Sequence, residues 1–397
     1  MRNPSRRVLV VSAVAGLLAG ACMGGGGGNS GTFDFGGAPT APVTGAPLGD
    51  AIGTGAVTVG LILPQTAQGG AAETASSLRN AAEMALAEFN NPNIRLVVKD
   101  DRGTPQGAQE AAQAAISEGA QVIIGPVFAQ SVAAAGQVAQ QAGVPLIGFS
   151  TDANVATRGV YLLSFLPETD VDRIVSHAVR SGKRSFAALL PDTAYGTVAE
   201  AAFREAVARA GGRVVAMERH SEGIPGAGGA VRRVAEAAAQ ADAIFMPASG
   251  DQAPQLAAAL ASAGVDFRRV QLLGTGLWDD PAVTGSSAMT GARFAAPDAS
   301  GFQGFAQRYS QRYGGQPVRT ATLAYDAVSL VAALVQTQGG SFSAAALTNS
   351  SGFRGVDGVF RFTNSGTNQR GLAVMEVTGS GARVVDPAPQ SFASASL

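Results

Sequence analysis

From Val57 onward, short runs of continuous apolar residues alternate with longer segments in which apolar residues recur at helical spacing. The run Val57–Leu63 (VTVGLIL) is short, rich in β-branched residues and followed by Pro64, which is typical of a strand buried on both faces. In Thr74–Asn90 the apolar side chains lie three or four positions apart, which predicts a helix. Helices between buried strands indicate βαβ units and parallel sheets.

The same alternation continues along most of the chain. Further strands are predicted at 94–100, 120–126, 144–150, 185–191, 213–218, 242–247 and 270–276, with helices at 105–119, 129–141, 170–180, 195–210, 230–240, 252–263, 302–313 and 320–338. A pair of strands about a turn is predicted within Gly358–Val377. The spacing breaks at Gly159–Asp170, where an extra strand and Pro167 interrupt it. We interpret this break as a crossing between two doubly wound lobes.

Ahead of this folded part, residues 1–21 have the outline of a signal peptide. Arginines within the first seven residues precede the apolar run Val8–Leu18, which is shorter than the roughly 20 residues of a membrane-spanning helix. Ala19-Gly20-Ala21 suits ordinary signal peptidase, which would release a soluble protein. Together with Leu18 and Cys22, these small residues also resemble a bacterial lipobox, in which the cysteine becomes a lipid-bearing N-terminus.

The single cysteine of the chain lies directly at this cleavage point, which favours lipidation of Cys22. Residues 22–55 are rich in Gly, Pro, Ala, Ser and Thr, a composition that behaves as a flexible tether. We therefore expect a periplasmic protein held at a membrane by lipid only. Met23 stands where an Asp often retains lipoproteins at the inner membrane, so the outer membrane is slightly favoured.

Composition excludes several classes of function. A net charge of −1 gives no attraction to nucleic acid. His177 and His220 do not have the spacing of a metal-binding pair. The sequence contains no Gly-x-Ser-x-Gly nucleophile elbow, and no cysteine follows Cys22 that could serve as a nucleophile in the folded part. The glycine-rich stretch Gly223–Ala230 lacks the Lys-Ser/Thr of a phosphate loop and is predicted to be a flexible loop. The sequence thus predicts no enzyme, no cofactor and no metal.

Several strings resemble the leucine/isoleucine/valine-binding protein family, which has the type I periplasmic solute-binding fold. They are Asp100–Asp152, Pro191–Val215 and Arg319–Val335, and the resemblance extends over Val57–Val377. It implies α/β architecture, with two Rossmann-like lobes joined by three crossing strands and a ligand between them. We expect one lobe from 57–167 with 297–366, the other from 168–296 with 367–386, and a disordered tail at 387–397.

The resemblance also implies a binding site in the loops that follow the strands. The loop Phe128, Ala129, Gln130 and Ser131, with Ser150 and Thr151, would receive a ligand carboxylate. Tyr195 would cover the ligand from the second lobe, where the loop with Ser249 and the only tryptophan, Trp278, are further candidates for its wall. The alternative is that the serines and Thr151 are helix caps, as Ser and Thr often are, and that Trp278 belongs to the core.

One departure from the family bears on the ligand. Amino-acid binders of this family place an acidic side chain of the second lobe against the ligand ammonium, but this chain has Thr275-Gly276-Leu277 at that place. Asp152, Asp251 or Asp279 could substitute.

Two alternative functions are therefore considered. One is a solute-binding lipoprotein that delivers a small polar ligand, of amino-acid or amide type, to an ABC permease. The other is a non-transport envelope lipoprotein that activates a peptidoglycan synthase (a penicillin-binding protein), as a group of lipoproteins resembling this family does.

Overall fold

The protein contains two mainly parallel β-sheets. Its structure is a computed structural model, which describes residues 50–90, 92–221 and 224–392. The predicted signal peptide, Cys22 and most of the predicted tether lie outside the described residues. Among the helices of the described part, none has the length and apolar character needed to cross a bilayer.

The first sheet has six strands in the order β1-β3-β2-β4-β5-β6. They are β1 (Ala51–Ile52), β2 (Val57–Leu63), β3 (Ile94–Asp100), β4 (Val122–Ile124), β5 (Leu146–Gly148) and β6 (Val160–Leu162). All neighbours pair in parallel except β1, which pairs antiparallel with β3. The prediction that the tether spans residues 22–55 is therefore wrong at its C-terminal end, because Ala51 and Ile52 pair with β3 and belong to the sheet.

Helices cover both faces of this sheet, which explains why its strands are continuously apolar. One face carries α1 (Gly70–Glu88), α9 (Ala299–Tyr313), α10 (Ala321–Gln338) and the short α11 (Ala344–Leu347). The other carries α2 (Pro105–Ser117) and α3 (Ala129–Gln141). The chain thus returns to the first lobe after Pro297, as the predicted crossing requires.

The second sheet has seven strands in the order β16-β15-β11-β10-β9-β7-β8. They are β7 (Ser185–Pro191), β8 (Arg213–His220), β9 (Ala243–Phe245), β10 (Gln271–Gly274), β11 (Arg293–Ala296), β15 (Ala373–Thr378) and β16 (Gly381–Asp386). On one face lie α4 (Pro167–Arg180) and α5 (Ala194–Arg209), and on the other α6 (Ile224–Ala237), α7 (Ala253–Ser262) and α8 (Pro281–Thr284). The glycine-rich stretch predicted as a loop is helical from Ile224 onward, since Ala227 and Ala230 pack in the core of this lobe.

A small third sheet lies beside the crossings and belongs to the first lobe. It contains β12 (Phe353–Gly355), β13 (Gly358–Phe362) and β14 (Asn368–Arg370), and Phe360 and Phe362 pack in the first-lobe core. The chain passes between the lobes after β6, after β11 and after β14. The predicted class, two doubly wound lobes joined by three crossings, is confirmed, whereas the lobe boundaries given above stay a prediction.

The C-terminal segment adds a fourth connection, where a disordered tail was predicted. After β16, Pro387 O accepts a hydrogen bond from Arg173 of the second lobe (3.3 Å). The ring of Phe392 then lies under the guanidinium of Arg361 in β13, 4.5 Å from ring centre to Cζ. The prediction is wrong for 387–392, because these contacts hold the segment across both lobes; 393–397 lie outside the described residues.

Candidate ligand site

A cavity of about 200 Å³ lies where the crossing segments meet the second lobe. Its walls are formed by Phe165, Pro167, Asp170, Tyr195, Gly276, Leu277, Asp279, Pro297 and Arg319. A cavity of about 150 Å³ in another protein accommodates benzene, so this one has room for a small molecule and not for a peptide. Its walls combine apolar side chains with charged groups of both signs.

Tyr195 reaches the cavity from the first turn of α5. Thr193 caps this helix by accepting a hydrogen bond from the N–H of Gly196 (3.1 Å), and a Cβ at Gly196 would lie 1.8 Å from Pro191 O. The phenol oxygen of Tyr195 lies 2.8 Å from Oγ1 of the buried Thr275. Burial raises the pKa of Tyr195, and the nearby Asp170 raises it further, so the phenol is neutral and able to donate a hydrogen bond.

Asp170 lies in the first turn of α4, directly after the crossing at Pro167. Its Oδ2 accepts a hydrogen bond from the N–H of Gly276 (2.9 Å). Asp170 is partly accessible at the cavity wall, but the surrounding protein displaces most of the water that would hydrate its carboxyl group. This burial raises the pKa of Asp170 to about 7, against the lowering effects of the Gly276 N–H and of Arg370. Asp170 is therefore a carboxyl that titrates near neutral pH.

Arg319, just before α10, is held from several sides. Asp357, which is fully buried, accepts hydrogen bonds from Nη2 (2.7 Å) and Nη1 (3.1 Å) of Arg319. The guanidinium carbon also lies 4.7 Å from the ring centres of both Phe165 and Phe302. Arg319 thus presents a fixed cation at the cavity wall.

Asp279 lies at the exposed rim of the same cavity. Partial burial raises the pKa of Asp279, and the positive charge of Arg319 lowers it. No ion pair joins Asp279 to Arg319 in the described part of the chain, although both line the cavity. Of the three acidic substitutes considered from the sequence, Asp279 is the one in the cavity wall, and Asp170 is an acidic residue that the sequence analysis missed.

The predicted first-lobe residues do not line this cavity. Phe128 is exposed and precedes α3, with Ala129 and Gln130 in its first turn. Oγ of the buried Ser150 accepts a hydrogen bond from the N–H of Asp152 (3.0 Å), a local turn contact that precedes the helical turn and does not cap it. Asp152 caps the short helical turn Ala153–Val155, and Thr151 is exposed. A ligand contact by these residues stays a prediction.

Ser131 lies beside a second acidic residue that the sequence analysis did not single out. Oγ of Ser131 and Oδ2 of Asp101 are both buried, and neither has a hydrogen-bond partner of good geometry among the described residues. Burial raises the pKa of Asp101, whereas the N–H of Gly103 and the hydroxyl of Ser131 lower it. The predicted loop thus places Ser131 next to Asp101 at the end of β3, and each has a buried polar atom without a hydrogen-bond partner of good geometry.

Two candidates of the second lobe make local contacts instead. Oγ of Ser249 donates to Oδ1 of Asp251 (2.6 Å) within their own loop. Trp278 is fully buried in the core of the lobe, where its Nε1 donates to Ala248 O (3.2 Å). A Cβ on Gly274 would lie 2.3 Å from the indole ring, so the glycine makes room for it. The prediction that Trp278 forms a wall of the ligand site is wrong.

A family model of periplasmic binding proteins matches residues 56–382. Among solved structures, a Rhodospirillum rubrum protein assigned to a branched-chain amino acid ABC transporter is 21% identical, with a TM-score of 0.74, 83% of this chain covered and 99% of the other. No sequence among the curated proteins is similar to this chain.

Two further similar structures contain ligands. A Desulfitobacterium hafniense ABC transporter substrate-binding protein in complex with Leu is 20% identical (TM-score 0.61, covering 83% and 99% of the two chains). A Rhodopseudomonas palustris solute-binding protein in complex with 3,4-dihydroxybenzoic acid is 22% identical (TM-score 0.58, covering 84% and 98%). At these identities the likeness shows the fold alone.

The burial of Trp278 can be measured by fluorescence, because it is the only tryptophan. We expect a blue-shifted emission that acrylamide quenches weakly until the protein is unfolded in denaturant, and no change when small molecules bind. Strong quenching of the native protein would show that the indole faces solvent.

The ionisation of Asp170 predicts a pH-dependent effect of Asp170→Asn. Its pKa is about 7 in the folded state against 3.8 ordinarily, so the folded state binds the extra proton and wild-type stability falls as the pH rises between those values. The variant does not titrate there and still accepts from Gly276. Its free energy of unfolding should rise relative to wild type over this window, by up to about 1.4 kcal/mol per unit of pKa difference.

Urea unfolding from pH 4 to pH 8 measures this trend. The matched control is Asp242→Asn: the backbone N–H groups of Arg184 and Ser185 lower the pKa of Asp242, so that carboxyl is ionised in both states and the variant should differ from wild type by a constant amount above about pH 5. Parallel stability curves for wild type and Asp170→Asn would contradict the account of Asp170.

Proposed function

The chain belongs to the periplasmic binding protein family, and from that premise we propose that it is the solute-binding component of an ABC importer. Its ligand is a small polar molecule of amino-acid or amide type, held in the cavity at the crossing strands. The observation that carries this proposal is the cavity wall, which combines the Asp170 carboxyl, the Tyr195 hydroxyl and apolar surface. The ligands and transport assignments of the similar structures support it.

Asp170 can supply the acidic group that an amine-bearing ligand requires. The family's acidic group is missing from Thr275–Leu277, but the carboxylate of Asp170 lies against the backbone of this very segment, at the N–H of Gly276. A ligand ammonium placed in the cavity would meet Asp170 there, and Tyr195 would donate or accept a hydrogen bond beside it. The carboxyl is supplied by a different element, the hinge end of α4.

The apolar side chains of the cavity wall indicate the chemistry of the rest of the ligand. Pro167 and Pro297 come from two of the crossings, and Phe165 and Leu277 complete the surface. Leu277 is 40% exposed and offers apolar surface that a ligand in the cavity would cover. We therefore expect a ligand with a compact aliphatic or aromatic body attached to its polar end.

The first-lobe loops form the other half of the proposed site. Hinge closure is the usual motion of periplasmic binding proteins, and the crossings that line the cavity are the segments about which the lobes would turn. Closure would bring Phe128–Ser131 and Ser150–Thr151 towards the ligand, with the exposed side chain of Thr151 as a donor, since Ser131 and Ser150 are buried. Phe128, 41% exposed, would then be covered as well.

A second candidate function is the activation of a peptidoglycan synthase. It is favoured by the local turn contact of Ser150, whose hydroxyl already accepts from the N–H of Asp152, and by the position of the first-lobe loops outside the cavity. In that case a protein partner, not a solute, would use the fold. In both cases we place the protein in the periplasm, anchored through lipid on Cys22, with the outer membrane slightly favoured.

Ligand binding should raise the melting temperature of the full mature chain. At a concentration 100 times Kd, a ligand stabilises the folded state by about 2.7 kcal/mol. A panel of amino acids, amides, aromatic acids and muropeptide fragments should contain a compound that shifts the melt. Tyr195→Phe should weaken that compound severalfold, since a neutral hydrogen bond contributes about 1 kcal/mol. Tyr313→Phe, the same change at a tyrosine outside the cavity, is the control.

If no compound of the panel shifts the melt, the importer proposal fails. Recovery of a peptidoglycan synthase with the protein from envelope extracts would then support the second candidate.

The lipid anchor is tested by Cys22→Ser. The variant should leave the membrane fraction or stay unprocessed, and metabolic labelling with a fatty-acid analogue should be lost. A wild-type protein that is never labelled and stays in the soluble periplasmic fraction would contradict the anchor.

A further inference from the structure

The segment that follows β16 is short and contains two prolines. Residues 387–392, which we call the strap, read PAPQSF. Proline fixes its own φ near about −65° and keeps the residue before it extended, so Pro387 and Pro389 make the strap extended and stiff. Six extended residues span at most about 20 Å. A contact at each end of the strap therefore limits how far apart its two attachment points can move.

The strap begins at a strong attachment to the second lobe. Oδ2 of Asp386 accepts hydrogen bonds from Nη1 of Arg173 and Nη2 of Arg180, at 2.9 Å each. Nδ1 of His177 lies 2.8 Å from the same oxygen, and all three side chains belong to α4. Nη2 of Arg173 also donates to the main-chain oxygens of Asp386 (3.2 Å) and Pro387 (3.3 Å). Charge-assisted hydrogen bonds thus hold this end of the strap.

The middle of the strap lies against the third crossing, Gly371–Leu372, between β14 and β15. A Cβ at Gly371 would lie 3.0 Å from Cγ and 3.1 Å from the main-chain oxygen of Pro389, so the glycine lets the strap approach closely. Nε of Arg173 donates to Leu372 O (2.7 Å), which ties the crossing to the arginine that holds the start of the strap. The strap therefore runs beside a segment about which the lobes would turn.

Phe392 attaches the far end of the strap to the first lobe. Its ring centre lies 4.5 Å from Cζ of Arg361 in β13. A Cβ at Gly352, just before β12, would lie 2.8 Å from Cδ2 of the ring, so the ring packs on bare backbone there. Nη2 of Arg354 donates to Oε1 of Gln390 at 3.4 Å. This end is held by one cation–π contact, packing and a long hydrogen bond.

The two ends differ in what their release would break. Freeing Asp386 would break two charge-assisted hydrogen bonds to arginines. Freeing Phe392 leaves Arg361 with its hydrogen bonds to Oε1 of Gln369 (2.8 Å) and to Ser350 O (3.1 Å), so its guanidinium stays bonded. The cation–π contact of a partly exposed ring is weak by comparison. The strap is thus fixed at the second lobe and detachable at the first.

We propose that the strap is a latch that holds the two lobes in their open orientation and that Phe392 must leave Arg361 before the lobes close. A rotation about the crossings changes the distance between the two attachment points, and a stiff segment fixed at both resists that change. In the orientation described here the first-lobe loop Phe128–Ser131 lies outside the cavity wall, so the latched state is the open one. The latch acts whether the lobes hold a solute or a protein partner.

Distances between two spin labels test the latch without any ligand. In the full mature chain, Cys22→Ser removes the single cysteine. Gln113→Cys on α2 and Ala258→Cys on α7 then place one label at an exposed site of each lobe. With the strap intact, pulsed electron paramagnetic resonance should give one narrow distance distribution. With Phe392→Ala added, we expect the distribution to broaden or to gain a second population at another distance.

Two truncations of the labelled chain are the matched pair for this substitution. A chain that ends at Asp386 lacks the strap and should show the same broadening as Phe392→Ala. A chain that ends at Phe392 keeps the strap and should give the narrow distribution of the full chain. Circular dichroism and thermal melting check that each variant is folded. If the chain that ends at Asp386 does not fold, Phe392→Ala decides, because it removes only a partly exposed ring.

A narrow, unchanged distribution after Phe392→Ala would overturn the latch. A broad distribution with the strap intact would overturn it as well, because the lobes would then turn freely while latched. Because no ligand enters the experiment, either result leaves the proposed function to its own tests.

Discussion

One guanidinium group joins the segments from which the cavity is built. Arg319 precedes α10, Asp357 lies between two strands of the small sheet, Phe165 belongs to the first crossing and Phe302 to the helix after the second. Each cation–π contact contributes about 0.5–2 kcal/mol, and the two hydrogen bonds to a buried carboxylate are charge-assisted. The same contacts that fix Arg319 therefore also fix the relative positions of four segments around the ligand space.

A second arginine, Arg370, is buried and lies over the same Phe165 ring, which gives the crossing region a polar interior. Nε of Arg370 donates to Ser164 O (3.0 Å), while its two terminal nitrogens have no hydrogen-bond partner among the described residues. The guanidinium carbon lies 4.7 Å from the ring centre of Phe165 and 5.7 Å from that of Phe360. Burial lowers the pKa of Arg370 and raises that of the neighbouring Asp326 to about 7. The crossing region therefore encloses ionisable groups, unlike the apolar cores of the two lobes.

The fold could be predicted because it depends on local patterns. Continuous apolar strands such as Val57–Leu63 and helical spacing in Thr74–Asn90 report burial directly, and the break at Pro167 marked the first crossing. The site was predicted less well because its parts are distant in sequence. Asp170 and Gly276 meet only in the folded chain, and so do Arg319 and Asp357. Trp278 was misplaced because flanking polar residues indicate a loop, although the loop folds its ring back over Gly274.

The central claim is that a solute binds at the crossing strands, and hydrogen exchange with and without the panel compound that shifts the melt most tests it directly. The account predicts slower amide exchange in Leu166–Asp170 and Gly276–Asp279, the segments that supply Pro167, Asp170, Gly276, Leu277 and Asp279 to the cavity wall, together with Phe128–Ser131 as the lobes close. Protection confined to surfaces away from these segments, such as the outer faces of α2 and α3, would contradict it.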